Sequence, residues 1–100
     1  ACKVPVDLAW QEGARPFRST DGPLRAAVQQ ALRATLGAPA TPDTGGGTSD
    51  GRFFAAHGAE VVELGLPSAT IHAVDEHVPV ADLEALAGVY CQVLENILTG

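Results

Sequence analysis

One hundred residues, 46% hydrophobic and 18% charged, make one globular domain at most and are too apolar for a disordered tail. A net charge of −6, with six basic residues scattered singly over the first 52 positions, excludes a nucleic-acid-binding face, which needs clustered Lys and Arg. No run of about 20 apolar residues crosses a membrane and no charged-then-apolar leader opens the sequence, so the expected setting is soluble, reducing and cytoplasmic. Cys2 and Cys91 can pair in an oxidising compartment, but two thiols are no disulfide framework. Cys91 sits within an apolar helical pattern and reads as a buried free thiol.

In "KVPVDLAW", Val4, Val6, Leu8 and Trp10 alternate with polar or small residues, and that period of two predicts a strand over 3–10. Pro5 suits a strand edge or beginning. "QEGARPF" is a connector. "STDGPLRAAVQQALRATLG" predicts a helix capped by Ser19, Thr20 or Asp21, with Pro23 in its first turn and Gly37 at its end. Leu24, Val28, Ala31, Leu32 and Leu36 share one face of it. "APATPDTGGGTSDG" is a connection with room for a short strand, and "RFFAAHG" a short helix capped by Asp50. "AEVVELG" predicts a buried strand, and "LPSATIHAVDEHVP" a loop. "VADLEALAGVYCQVLENIL" predicts a closing helix, with Leu83, Leu86, Tyr90, Val93 or Leu94, and Ile97 inward, and with Asp82 and Glu84 favoured by its dipole. The fold class is therefore α/β, two long helices packed on a few strands of a mixed sheet. The first strand has no hairpin partner and the sheet is thin, as in part of a larger layered domain.

Two loops carry the chemistry. Gly45, Gly47 and Gly51 have neither the Walker spacing nor that of a dinucleotide fingerprint. What remains is either a solvated turn with Asp50 as an ordinary cap, or a loop whose backbone approaches an anion or oxyanion closely. In the second case Thr48 and Ser49 add hydroxyl donors and Arg52 a bidentate fork. His72 stands where a sheet edge meets a loop; it reads as a metal ligand or as a histidine satisfied by backbone. His77 follows with Asp75 and Glu76 between, without a metal-motif spacing, and His57 reads as a helix-terminus histidine. Neither Ser49 nor Cys91 has a partner arrangement for nucleophilic catalysis, so catalytic residues in this chain number none. The residues alone give two site-like loops and no complete site.

In order, "TGGGTSDGRF", "GAEVVELG", "SATIHAVDEHV" and "VADLEALAGVYCQVLENIL" closely resemble the C-terminal end of the bacterial succinyl-diaminopimelate desuccinylases, within the di-zinc aminoacylase and carboxypeptidase superfamily. The resemblance covers essentially the whole chain. It implies metal-assisted hydrolysis of N-succinyl-L,L-diaminopimelate to succinate and diaminopimelate, a step of lysine biosynthesis, with two zinc ions per site and cobalt as a substitute. It implies His72 of "ATIH" as a zinc ligand, Gly47 and Thr48 as substrate contacts, Arg52 as a carboxylate clamp, and Glu76 as support for the loop. Ser68 stands where that family commonly has asparagine, at a substrate-contacting position, and Pro79 replaces a usual capping asparagine. The H-x-D motif, the Glu-Glu pair and the general base of the family lie in segments outside these 100 residues. Residues 1–14 correspond to the last strand of a lid and dimerisation domain with its connector, and 15–100 to the C-terminal segment of the catalytic domain.

These correspondences make the 100-residue chain, by itself, an expected non-enzyme belonging to a metal-dependent, homodimeric amide hydrolase. Its partner is a small N-succinyl amino acid, and its uncovered apolar faces favour self-association. Two other readings stay open: a related aminoacylase or carboxypeptidase for another N-acyl amino acid, and a non-catalytic binding or assembly module.

Overall fold

Proline at position 23 and glycine at position 37 bracket the first helix of the structure, a computed structural model that describes residues 3–99. This helix, α1 (Pro23–Leu36), starts with a residue that needs no N–H partner and stops at Gly37 in the left-handed region (φ 79°), whose N–H donates to the Arg33 carbonyl at 3.0 Å. A short α2 (Gly51–Ala56) and a long α3 (Val80–Leu98) follow. Pro79, extended at φ −61° and ψ 138°, turns the chain into α3, and Asp82 lies in the first turn.

The cap of α1 departs from expectation. Its N-cap is Gly22, without a side-chain cap bond, and Ser19, Thr20 and Asp21 do not serve. Ser19 Oγ instead donates to the Val61 carbonyl, and Asp21 pairs with Arg25. The cap comes from far along the chain: the Glu60 carboxylate accepts the N–H groups of Leu24 at 2.9 Å and Arg25 at 3.0 Å. Gly22 admits that carboxylate, since a Cβ there would stand 2.6 Å from Glu60 Oε1.

Helices α1 and α3 pack on each other through Val28, Ala31, Leu32, Val89 and Val93, with Leu24, Val62 and Leu64 at the margin. Val89, 1% exposed, is the most deeply buried of the larger side chains and contributes about 2 kcal/mol by burial. Asn96 Nδ2 also reaches across, to the Ala27 carbonyl at 3.3 Å. The inward face of α3 differs from that expected. Val89 and Val93 are buried and Leu86 half-buried, whereas Leu83, Tyr90, Leu94 and Ile97 are exposed, as is Leu36 on α1. Helix α3 is apolar around most of its circumference, so two stripes have acceptable spacing; α1 covers the one through Val89 and Val93. Cys91, expected to be buried, is an exposed free thiol because it lies off that stripe, and Cys2 lies outside the described residues.

No strand forms among the described residues, so the expected strands over 3–10 and within "AEVVELG" make no sheet here. A strand needs a neighbour to supply ladder hydrogen bonds, and the 3–10 segment is exposed along its length, Trp10 to 91%. The segment 60–64 keeps the alternation of a strand without the ladder. Glu60, Val62 and Leu64 face α1 and α3, while Val61 lies against Gly51 and Glu63 meets Ser49. Its carbonyls are taken by side chains: Ser19 reaches that of Val61, and the Tyr90 hydroxyl donates to that of Leu64 at 2.6 Å.

The molecule is drawn out. Its radius of gyration is 18.1 Å with extents of 60 × 37 × 22 Å, against about 13 Å for a compact 100-residue domain. The accessible surface of 8316 Å² compares with about 5,400 Å² for a folded monomer of this mass. The α1–α3 pair and the 60–64 segment form the scaffold, and both chemistry-bearing loops hang from it.

Candidate functional site

The glycine-rich connection leads from α1 to α2. Asp43 Oδ1 accepts the Gly45 N–H at 3.0 Å, which starts a turn, and Gly46 follows at φ 95°, a conformation that glycine adopts without strain. Gly47 and Thr48 are exposed beyond that turn. Ser49 is half-buried; its hydroxyl donates to the Glu63 carboxylate and accepts the Gly51 N–H at 3.1 Å. Asp50 stands at the N-cap of α2 but makes no side-chain cap bond; Ser49 supplies a bond at this helix start instead. The start of α2 is pressed onto the scaffold, since a Cβ on Gly51 would come within 2.8 Å of Val61 Cγ1.

Arg52, in the first turn of α2, lies over the ring of Phe53 with its guanidinium carbon 4.6 Å from the centroid. Stacking of this kind restrains the side chain and leaves the planar fork of N–H donors available. His57 closes α2, as expected of a helix-terminus histidine, and its Nδ1 donates to the Phe53 carbonyl at 2.8 Å.

The second loop, 68–77, is knotted by its own hydrogen bonds. The Ile71 N–H reaches the Ser68 carbonyl at 3.1 Å and the Ala73 N–H the Thr70 carbonyl at 3.0 Å. His72 is the third residue of that second turn and has φ 61°, the left-handed region where glycine is the usual residue. Asp75 is likewise left-handed at φ 58°. Thr70 Oγ1 donates to the His77 carbonyl at 2.9 Å and accepts its N–H at 3.1 Å, closing the loop at its neck. His77 Nδ1 donates to the Asp75 carbonyl at 2.7 Å. Ser68, His72 and Glu76 are exposed on this loop.

The candidate residues thus fall into two units. Gly47, Thr48 and Arg52 belong to the glycine loop and α2, and Ser68 and His72 to the knotted loop. Among the described residues no hydrogen bond or ion pair joins the two units. A groove of about 580 Å³ lies elsewhere, between residues 17–23 and residues 55–61 at the N-terminus of α1, and includes none of these five residues. Among the described residues, no three His, Cys, Asp or Glu side chains gather to hold a metal ion. Zinc sites require three or four protein ligands, so His72 offers one imidazole and these residues do not build a metal centre.

Glu63 and Thr70 hold the two loops in place and were not singled out by sequence. The usable signal for Glu63 was the alternation in "AEVVELG", which sets Glu63 on the side opposite Val62 and Leu64.

The profile of peptidase family M20/M25/M40 matches residues 4–96, and the chain belongs to that family. It is 50% identical over 96 residues to the succinyl-diaminopimelate desuccinylase of Psychrobacter arcticus, which covers 96% of this chain and 24% of that protein. It is 52% identical over 97 residues to the succinyl-diaminopimelate desuccinylase of Nitrosococcus oceani, covering 97% of this chain and 26% of that protein. The desuccinylase of Paracidovorax citrulli is 50% identical over 94 residues, 94% of this chain and 24% of its own length. The chain therefore spans about a quarter of the length of these curated relatives. None of the helices among the described residues is long and apolar enough to cross a membrane.

Proposed function

We propose that this chain is the C-terminal catalytic-domain segment of a zinc-dependent amide hydrolase that cleaves N-succinyl-L,L-diaminopimelate to succinate and diaminopimelate. The observation that carries the reading is its identity of 50–52% to desuccinylases along nearly all of its length. In such an enzyme the bound metal supplies an activated water and polarises the scissile carbonyl. Gly47 lets the backbone come close to the substrate, and Thr48 donates to its carbonyl or carboxylate. The Arg52 fork, held over Phe53, clamps a carboxylate, and the Ser68 hydroxyl adds a further contact. His72 contributes one metal ligand.

In this reading the segments 3–10 and 59–65 are strands of a mixed α/β sheet completed by other parts of the parent, a cytoplasmic homodimer. Residues 1–14 belong to its lid domain and 15–100 to its catalytic domain. Catalysis requires ligands and a general base from outside this chain, so the 100 residues alone do not turn over.

An assay of the complete polypeptide with zinc, offering N-succinyl-diaminopimelate beside N-acetyl amino acids, tests the proposal. The expected result is a kcat/KM for the succinyl substrate at least ~100-fold higher, and no turnover by the 100-residue chain. A preference for the acetyl substrates would move the assignment to an aminoacylase, and turnover by the 100 residues would contradict the division of labour.

A further inference from the structure

The glycine loop is exposed from Asp43 to Thr48 and forms neither helix nor strand, yet it carries Gly47 and Thr48, two of the four residues assigned to substrate. Something has to hold it. On its N-terminal side Gln29 of α1 holds the Ala40 backbone at 2.8 and 3.1 Å; on its C-terminal side the polar tie is Ser49, whose hydroxyl donates to the Glu63 carboxylate while accepting the Gly51 N–H at 3.1 Å.

Glu63 is a firm anchor because its segment is fixed on both sides. Glu60 is bound to the first N–H groups of α1 at 2.9 and 3.0 Å, the Val61 carbonyl is held by Ser19, and the Leu64 carbonyl by Tyr90 at 2.6 Å. Val62 and Leu64 pack against the α1–α3 core. Val61, beside Glu63, also presses on Gly51. Two contacts thus transmit the position of the core to the loop, one polar through Ser49 and one apolar through Gly51.

We propose that Ser49 and Glu63 are positioning residues for substrate binding: the charge-assisted bond between them sets where Thr48 stands. The inference rests on the assignment of Thr48 to the substrate, and it adds a residue pair that touches no substrate itself. A group that fixes a binding loop acts on the cost of ordering that loop when substrate binds. Its loss therefore falls on KM more than on kcat.

The test uses the complete zinc-loaded polypeptide with N-succinyl-L,L-diaminopimelate as probe. Ser49→Ala and Glu63→Ala should each raise KM about ten-fold, the scale of one charge-assisted hydrogen bond, with kcat within about two-fold. Glu63→Gln, which keeps an acceptor oxygen, should recover most of the loss. The double variant Ser49→Ala/Glu63→Ala should be no worse than either single one. Amide hydrogen exchange over 44–51 should quicken in the alanine variants while that of α1 and α3 stays unchanged, which separates loop release from unfolding. Unchanged KM in Ser49→Ala, together with a raised KM in Thr48→Ala, would overturn the clamp alone. Unchanged kinetics in both would overturn the clamp and the substrate assignment of the loop together.

Discussion

Glu60 caps a helix that begins 37 residues before it, its carboxylate accepting the Leu24 N–H at 2.9 Å and, with its other oxygen, the Arg25 N–H at 3.0 Å. A carboxylate at a helix N-terminus meets both unpaired donors and the positive end of the dipole. Glu60→Ala should lower the stability of the 100-residue chain by about 1–2 kcal/mol, read as a shift of the urea midpoint. Glu60→Gln should cost less, because an amide oxygen still accepts. No shift in Glu60→Ala would mean that water satisfies those donors equally well.

Gly22 should be coupled to that cap. Its φ of −156° is open to any residue, so the reason for glycine is space: a Cβ would meet the Glu60 carboxylate at 2.6–2.8 Å. Gly22→Ala should push that carboxylate off the helix end and so cost as much as losing the cap, ~1–2 kcal/mol. In the Glu60→Ala background the same change should cost well under ~1 kcal/mol. A full double-mutant cycle by urea denaturation reads the difference, and additive effects would contradict the contact.

The packing of α3 predicts an asymmetry between neighbouring apolar residues. Val89 is 1% exposed and Leu94 is 56% exposed. Val89→Ala should therefore destabilise the 100-residue chain by about 2 kcal/mol and Leu94→Ala by no more than ~0.5 kcal/mol, measured by thermal unfolding. Equal losses would place the core on the other stripe of the helix.

The helices were legible because their signals are local. Pro23 and Gly37 bracket α1, the short helix ends at His57, and α3 follows Pro79, all within a residue or two of what spacing implies. The choice of face on α3 was not legible: apolar residues surround most of that helix, and only the position of α1 selects Val89 and Val93 over Tyr90 and Leu94. The same holds for the caps. Ser19, Asp21 and Asp50 have the right chemistry, but the bonds they would make are supplied by Glu60 and Ser49 through contacts that no sequence window contains. A period of two in "KVPVDLAW" records a preference for an extended, two-sided environment, and a sheet needs neighbours besides preference. The candidate site residues Gly47, Thr48, Arg52, Ser68 and His72 are proposed from the order of the loops. The left-handed conformation of His72, within a loop closed by hydrogen bonds among residues 68–77, gave no signal in the sequence.

Metal content and succinate release, measured on the same samples of the complete polypeptide, test the central proposal most directly. The wild type should bind zinc and release succinate from N-succinyl-L,L-diaminopimelate. His72→Ala should lose both together, with metal affinity down at least ~10-fold, and Thr48→Ala should keep the metal while its kcat/KM falls. Full zinc occupancy and full turnover in His72→Ala would contradict the account.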